Sequence, residues 1–298
     1  ILYSMTRRRF LNSLALCALL GFSSKAKGLG AMLTKKTGER KMPVLFVGHG
    51  SPMNALEENE FTAGFAAAAR DIPKPRAIVC VSAHWETWGA AVTAMPRPKT
   101  IHDFGGFPKE LFDVNYPAPG NPELAKEIAD TLAGEKISLD KDWGLDHGCW
   151  VPLIRMYPRF DIPVIQLSLD STRNARWHYE LGKKLSWLRG KKVLIVGSGN
   201  IVHNLGLVAW DKLDKPGFAF NWAIEANEKM KKCIIAGNHA ALIDYHNQGR
   251  AFDLAIPTPE HYLPLLYALA LKEESDPLSF FNDKPVGGSL SMTSVRIG

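Results

Sequence analysis

Three apolar runs of this chain end on or close to a histidine, and a fourth histidine opens an expected helix. The runs are Val44–His49 (VLFVGH), Ala77–His84 (AIVCVSAH) and Val193–His203 (VLIVGSGNIVH); the fourth segment is Pro257–His261 (PTPEH). Imidazoles gathered at one place usually mean a transition metal. Apolar, β-branched runs bounded by glycine read as buried parallel strands, and open α/β sheets bind ligands at the carboxyl ends of such strands. His49, His84, His203 and His261, far apart in sequence, are therefore expected to converge. One histidine at a strand end is more often a structural residue; two or more ending buried strands favour ligation.

Other segments carry weaker signals. Asp146-His147-Gly148 offers His147 as a proton donor or substrate contact; the alternative is a helix-entry hydrogen bond beside Asp146. Gly197-Ser198-Gly199-Asn200 follows a strand but lacks the Lys-Ser/Thr of a phosphate loop and the third glycine of a dinucleotide fingerprint. His178, His239 and His246 lie beside polar residues on predicted helices and read as surface or structural. The loop-like stretch 96–120 holds His102, Asp103, Phe104, Phe107 and Tyr116. Either it walls a pocket for a flat aromatic molecule, together with Trp85, or it is a surface excursion pinned by prolines. His102 is the candidate for holding a polar substituent of such a substrate.

The elements that must position these residues follow from pattern. Strands are expected at 43–48, 77–83, 90–95, 163–169, 193–198 and 289–296, and helices at 57–70, 121–133, 175–189, 218–236 and 261–271. Asn121-Pro122-Glu123 and Thr258-Pro259-Glu260 read as helix starts. The alternation predicts one α/β domain with a largely parallel central sheet flanked by helices and a metal site at the carboxyl ends of its strands.

Charge separates a leader from this domain. The 298-residue chain carries +6, but residues 1–41 hold nine Lys/Arg against Glu39, or +8, which leaves −2 for the remainder. A globular part of that charge has no electrostatic footprint for nucleic acid. Thr6-Arg7-Arg8-Arg9-Phe10-Leu11-Asn12 resembles a twin-arginine export motif, with Met5 as the expected initiator. The apolar stretch 14–22 that follows is shorter than the roughly 20 residues a membrane span needs. The expected organisation is a signal peptide at 1–26, cleaved after Ala26, a Gly- and Lys-rich linker at 27–41 and a catalytic domain at 42–298. Periplasmic location, with membrane contact only through the leader, follows from that reading. Cys80, Cys149 and Cys233 remain after cleavage and do not form a disulfide framework; Cys80 is expected in a buried strand.

Seven ordered motifs then resemble one family: GHGSPMN (48–54), SAHW (82–85), IHDFGGFP (101–108), YPAPG (116–120), DHGCWVPL (146–153), SGNIVHNL (198–205) and PTPEHYLPLLY (257–267). Together they resemble the class III extradiol ring-cleavage dioxygenases of the LigB-type superfamily, nearest its bacterial 4,5-DOPA extradiol dioxygenase branch, from about Pro43 to Gly298. The export leader departs from that branch. The resemblance implies one divalent metal ion per chain held by His49, His84 and His261, with His203 as a fourth ligand or a base beside the metal and His147 as the second candidate acid–base group. It implies iron(II) for activity, although an all-histidine set suits zinc(II) equally. Its substrates would be a catechol such as DOPA and O₂. The competing readings are a non-catalytic metal-binding relative of the same fold and a zinc hydrolase, the latter with only Glu260 and Asp103 as candidate carboxylate bases.

Overall fold

The computed structural model describes residues 41–213, 215 and 217–298, so the expected signal peptide and all but the last residue of the linker lie outside the described residues. The strands are β1 (Val44–Gly48), β2 (Ala77–Thr87), β3 (Ala91–Thr93), β4 (Ser138–Asp140), β5 (Val164–Asp170), β6 (Val193–Gly199), β7 (Leu278–Phe281), β8 (Pro285–Val286), β9 (Leu290–Ser291) and β10 (Ser294–Ile297). The helices are α1 (Glu60–Arg70), α2 (Lys109–Phe112), α3 (Pro122–Thr131), α4 (His147–Met156), α5 (Ala175–Lys184), α6 (Trp187–Gly190), α7 (Asn221–Ile235), α8 (His239–Ile243), α9 (Arg250–Ala255) and α10 (Leu263–Ala270).

The main sheet runs β4-β3-β5-β2-β6-β1-β10-β7. Its centre, β5-β2-β6-β1, is parallel, while β3 joins β5 and β10 joins β1 antiparallel. Strand periodicity explains the layering. Val44 and Phe46 of β1 pack with α3, α5, α7, α9 and α10 on one face, and Leu45 and Val47 pack with α1 and α4 on the other. Because both faces are covered, the central strands are apolar throughout rather than alternating. From residue 41 onward the described residues form a single α/β domain, as expected from the sequence, and no helix among them is long and apolar enough to cross a membrane.

Several boundaries move for local reasons. The predicted start at Asn121 holds, its side chain accepting from the Leu124 N–H at 3.0 Å. The start at Thr258 does not: Thr258 donates its hydroxyl to Glu260 Oε1 at 2.9 Å, and the helix begins only at Leu263. The expected helix 175–189 divides into α5 and α6, and the expected strand 289–296 into β9 and β10. The loop 96–120 contains the short helix α2. Helix α4 was not expected, because Gly148 and Pro152 break its pattern.

Candidate metal centre

Strand register brings the predicted histidines together. Gly48 of β1 pairs with Gly199 of β6, and Ser82 of β2 with Ser198, so His49 and the residues after Ser82 emerge at one level of the sheet edge. Strand β2 does not stop at Ala83 but continues to Thr87, with a register shift against β5 between Val81 and Glu86. His84 rides on that irregularity, and such bulges re-aim side chains beside active sites. His261 arrives by close approach: its carbonyl accepts from Asn200 N–H at 2.9 Å, and a Cβ on Gly199 would lie 2.1 Å from the same oxygen. Only glycine fits there. His203 lies four residues beyond the end of β6, its N–H bonded to Ala255 O at 2.9 Å.

The result is a cluster of five imidazoles. Ring centroids separate His49 from His84 by 5.0 Å and from His261 by 5.5 Å; His84 lies 3.9 Å from His147 and 4.9 Å from His261. His203 stacks on His261 at 3.5 Å with planes 9° apart. Donor atoms of His49, His84 and His147 lie within 4.8 Å of one another, as do those of His203, Glu260 and His261. His147 thus stands nearer to His49 and His84 than its role as a second-choice acid–base group implied.

His49, His147 and His261 are each held through Nδ1. Pro152 lies inside α4 and has no N–H for the Gly148 carbonyl four residues back. Ser198 supplies that donor through Oγ at 2.5 Å. Its one proton being committed, Ser198 Oγ can only accept from His49 Nδ1, at 3.0 Å, which leaves His49 Nε2 with a free lone pair. His147 Nδ1–H donates to Asp103 Oδ2 at 2.9 Å, and the same oxygen lies 3.5 Å from His84 Nδ1. His261 Nδ1–H donates to Glu260 Oε1 at 3.1 Å. Partners of this kind fix the tautomer of metal-ligating histidines.

Burial, then the neighbouring imidazoles, pushes His49 and His84 well below the ordinary histidine range, and the same causes push His203 down to about 3. Burial raises the Glu260 carboxyl, but hydrogen bonds from His261, its own backbone and Thr258 outweigh it and hold it at about 2. For Asp103 burial is likewise outweighed by the His147 hydrogen bonds, and its carboxyl is lowered. His49, His84 and His203 are therefore held neutral, and two carboxylates edge the cluster. His49 Nε2 and His84 Nε2 face each other at 3.1 Å. His49 Nε2 carries a lone pair, so either a proton on His84 Nε2 or one cation beside both nitrogens satisfies the contact. With metal–nitrogen bonds of about 2.0–2.1 Å, cis nitrogens on one ion lie roughly 3.0–3.4 Å apart, so the donor set fits a divalent transition metal.

The surrounding residues divide. Phe104 packs edge-on against His147 at 5.6 Å and against Phe107 at 5.4 Å, forming an aromatic wall beside the cluster. His102 spends Nε2 on the Val114 carbonyl at 2.9 Å and packs among Phe104, Phe112 and Trp150. Tyr116 is fully buried against Phe160 and belongs to the core, not to a pocket wall; Trp85 stacks on Trp143. His178 is likewise fully buried, between Tyr267 and the Asp170 carbonyl, so it is structural and not a surface residue. Sequence reasoning missed Ser198 and the pairing of Asp103 with two histidines, since no local spacing announces either.

A family model described as the catalytic LigB subunit of aromatic ring-opening dioxygenase matches residues 42–286. The chain is 48% identical over 264 residues to the 4,5-DOPA dioxygenase extradiol of Escherichia coli K12, covering 87% of this chain and 95% of that one. It is 37% identical over 258 residues to the 4,5-DOPA dioxygenase extradiol of Beta vulgaris, covering 84% and 94%. The crystal structure of an uncharacterized Escherichia coli K12 protein matches with a TM-score of 0.75 at 43% identity, covering 87% of this chain and 100% of that one. Family and histidine cluster together imply a bound metal ion. With seven motifs, a sheet-edge histidine cluster and these matches in agreement, the chain belongs to the LigB family of aromatic ring-opening dioxygenases.

Proposed function

We propose that this protein is a metal-dependent extradiol dioxygenase that opens the ring of a catechol such as DOPA with O₂. The observation that carries the reading is the approach of His49 Nε2 and His84 Nε2 to 3.1 Å, closed in by His147, His203 and His261. His49, His84 and His261 are read as metal ligands, with His203 as the fourth. Iron(II) is the active metal in this reading, and zinc(II) occupies the same donors without redox chemistry. A bound metal supplies the centre at which a catechol and O₂ are held together.

The chain's own residues supply the rest. His147 presents Nε2 as a base because Asp103 holds the proton on Nδ1, and the Asp103 carboxylate stabilises the imidazolium formed when a catechol hydroxyl gives up its proton. Among the described residues His203 has no such carboxylate hydrogen bond to stabilise an imidazolium, and burial pushes it down to about 3, which keeps it a neutral imidazole as a ligand must be. Phe104 and Phe107 provide the apolar face for a flat ring. His102, with Nε2 on Val114, is read as touching a substituent only through its remaining ring edge. Residues 42–298 are read as the catalytic domain, 27–41 as a linker and 1–26 as a twin-arginine signal that delivers the protein to the periplasm. The Thr6–Asn12 motif and the following short apolar run support that delivery.

The test is O₂ uptake and formation of a yellow ring-opened product by iron(II)-loaded protein, with catechols and matched monophenols. Turnover of catechols alone is expected, because only a vicinal diol chelates through two oxygens. Equal rates on both classes would refute the mechanism, and no uptake on any catechol would return the protein to the binding-relative reading.

A further inference from the structure

Asp103 touches more of the cluster than any other acid among the described residues. Its Oδ1 accepts the backbone N–H of His147 at 2.9 Å, and its Oδ2 accepts the same residue's Nδ1–H at 2.9 Å. One carboxylate therefore clamps both the first backbone unit of α4 and the ring that unit carries. The shared Oδ2 also lies 3.5 Å from His84 Nδ1, on a different element of the fold. The segment bearing Asp103 is itself bolted down: Ile101 N–H donates to Leu145 O at 2.7 Å, and Trp150 Nε1–H donates to Ile101 O at 2.8 Å. Asp103 is followed at once by Phe104, whose ring packs on His147.

We propose that Asp103 is the positioning residue of the site, setting the Nδ1–H tautomer of His147 beside His84 and tying that ring to the loop that carries the aromatic wall. A carboxylate is needed because it accepts at both oxygens; an amide offers one acceptor and one donor. In Asp103→Asn, an amide nitrogen placed at either oxygen position faces an N–H. The relief available to the side chain is to move the His147 proton to Nε2, which removes the lone pair the site uses. Outer partners of this kind typically cost 10- to 100-fold in metal affinity or activity when changed.

The catalytic part of this inference rests on the dioxygenase reading, but its structural part does not, and two readouts separate them. ¹⁵N spectra of the imidazoles in zinc-loaded protein report the tautomers directly, and competition with a chromogenic chelator reports zinc affinity. Asp103→Asn is expected to move the His147 proton to Nε2 and to weaken zinc binding by about 10- to 100-fold. Asp103→Glu, which keeps two acceptors, is expected to preserve the tautomers and to bind zinc more tightly than Asp103→Asn. Wild-type tautomers and affinity in Asp103→Asn would overturn the proposal. So would equal loss in Asp103→Glu, which would assign the effect to loop packing. If the Asn variant does not fold, the Glu variant alone decides, since loss of the Nδ1–H tautomer there overturns the role. Ring cleavage absent from the wild type, with the tautomer shift still present in Asp103→Asn, would sink the dioxygenase reading and leave this one standing.

Discussion

Asp146→Asn is a near-isosteric change whose cost can be worked from the hydrogen bonds. Asp146 is fully buried and caps α4, directly before His147. Its Oδ1 accepts from Ser82 Oγ–H at 2.6 Å and from Cys149 N–H at 3.1 Å, and its Oδ2 accepts from Gln166 Nε2–H at 2.6 Å. Its own N–H donates to Gln166 Oε1 at 2.8 Å. An amide nitrogen at the Oδ1 position would face Cys149 N–H; at the Oδ2 position it would face the Gln166 amide. Flipping Gln166 only moves the conflict to the Asp146 N–H. One buried donor is left unmet in every arrangement. Losing a hydrogen bond to a charged group costs about 1.5–3 kcal/mol. Burial raises the Asp146 carboxyl, so neutralising it returns part of that. A net loss of about 2 kcal/mol is expected, or a fall in Tm of about 4–8 °C for a domain of this size. Denaturant unfolding of zinc-loaded protein measures it, and zinc affinity should fall too, because Ser82 Oγ also receives the His84 N–H at 3.2 Å. A variant within about 0.5 kcal/mol of wild type, the ordinary spread for uninvolved sites, would show that Asp146 is not an ionised triple acceptor.

His49→Ala, His84→Ala and His261→Ala should each leave the protein with strongly reduced metal after dialysis, and full content in any one removes that residue from the ligand set. His203→Ala separates two roles: lowered metal marks a ligand, retained metal with collapsed turnover marks a base. His178 is buried, with Nδ1 accepting from the Tyr267 hydroxyl at 2.9 Å and Nε2–H donating to Asp170 O at 3.2 Å, and its imidazole is pushed down to about 4 by burial. Since the unfolded chain takes up its proton near pH 6.5, stability is complete above that pH and falls towards pH 4, by about 3 kcal/mol from this residue. His178→Gln should flatten that acid limb in equilibrium unfolding, and an unchanged slope would refute the account. Replacing Arg7, Arg8 and Arg9 together by lysine should hold the precursor in the cytoplasm on fractionation, because the export reading depends on guanidinium groups and not on charge alone; a mature periplasmic product would end it.

Element type and the identity of the converging histidines were legible because both are local. Val44–Val47, Ile78–Val81 and Val193–Val196 are apolar without alternation, which is what strands covered on both faces require. Gly48 and Gly199 mark where those strands stop and neighbours crowd in, and the histidines follow them. Helix α4 escaped because its proline and glycine count against a helix by propensity. Its stability comes from the Asp146 cap and from burial of Trp150, Val151 and Leu153, none of which a local pattern weighs.

What the sequence alone determined about this protein is its class: a both-sides-covered parallel sheet, four strand-end or turn histidines and a motif order belonging to one family. What only the tertiary structure decided is how those histidines are held. The Pro152-freed carbonyl of Gly148 reaches Ser198, which orients His49, across three separate elements. Asp103 joins His84 to His147 over 19 and 44 residues of sequence. The reason is physical: a tautomer is set by the partner at the far nitrogen, and that partner is chosen by strand register and loop packing, which place residues remote in the chain within 3 Å of one another.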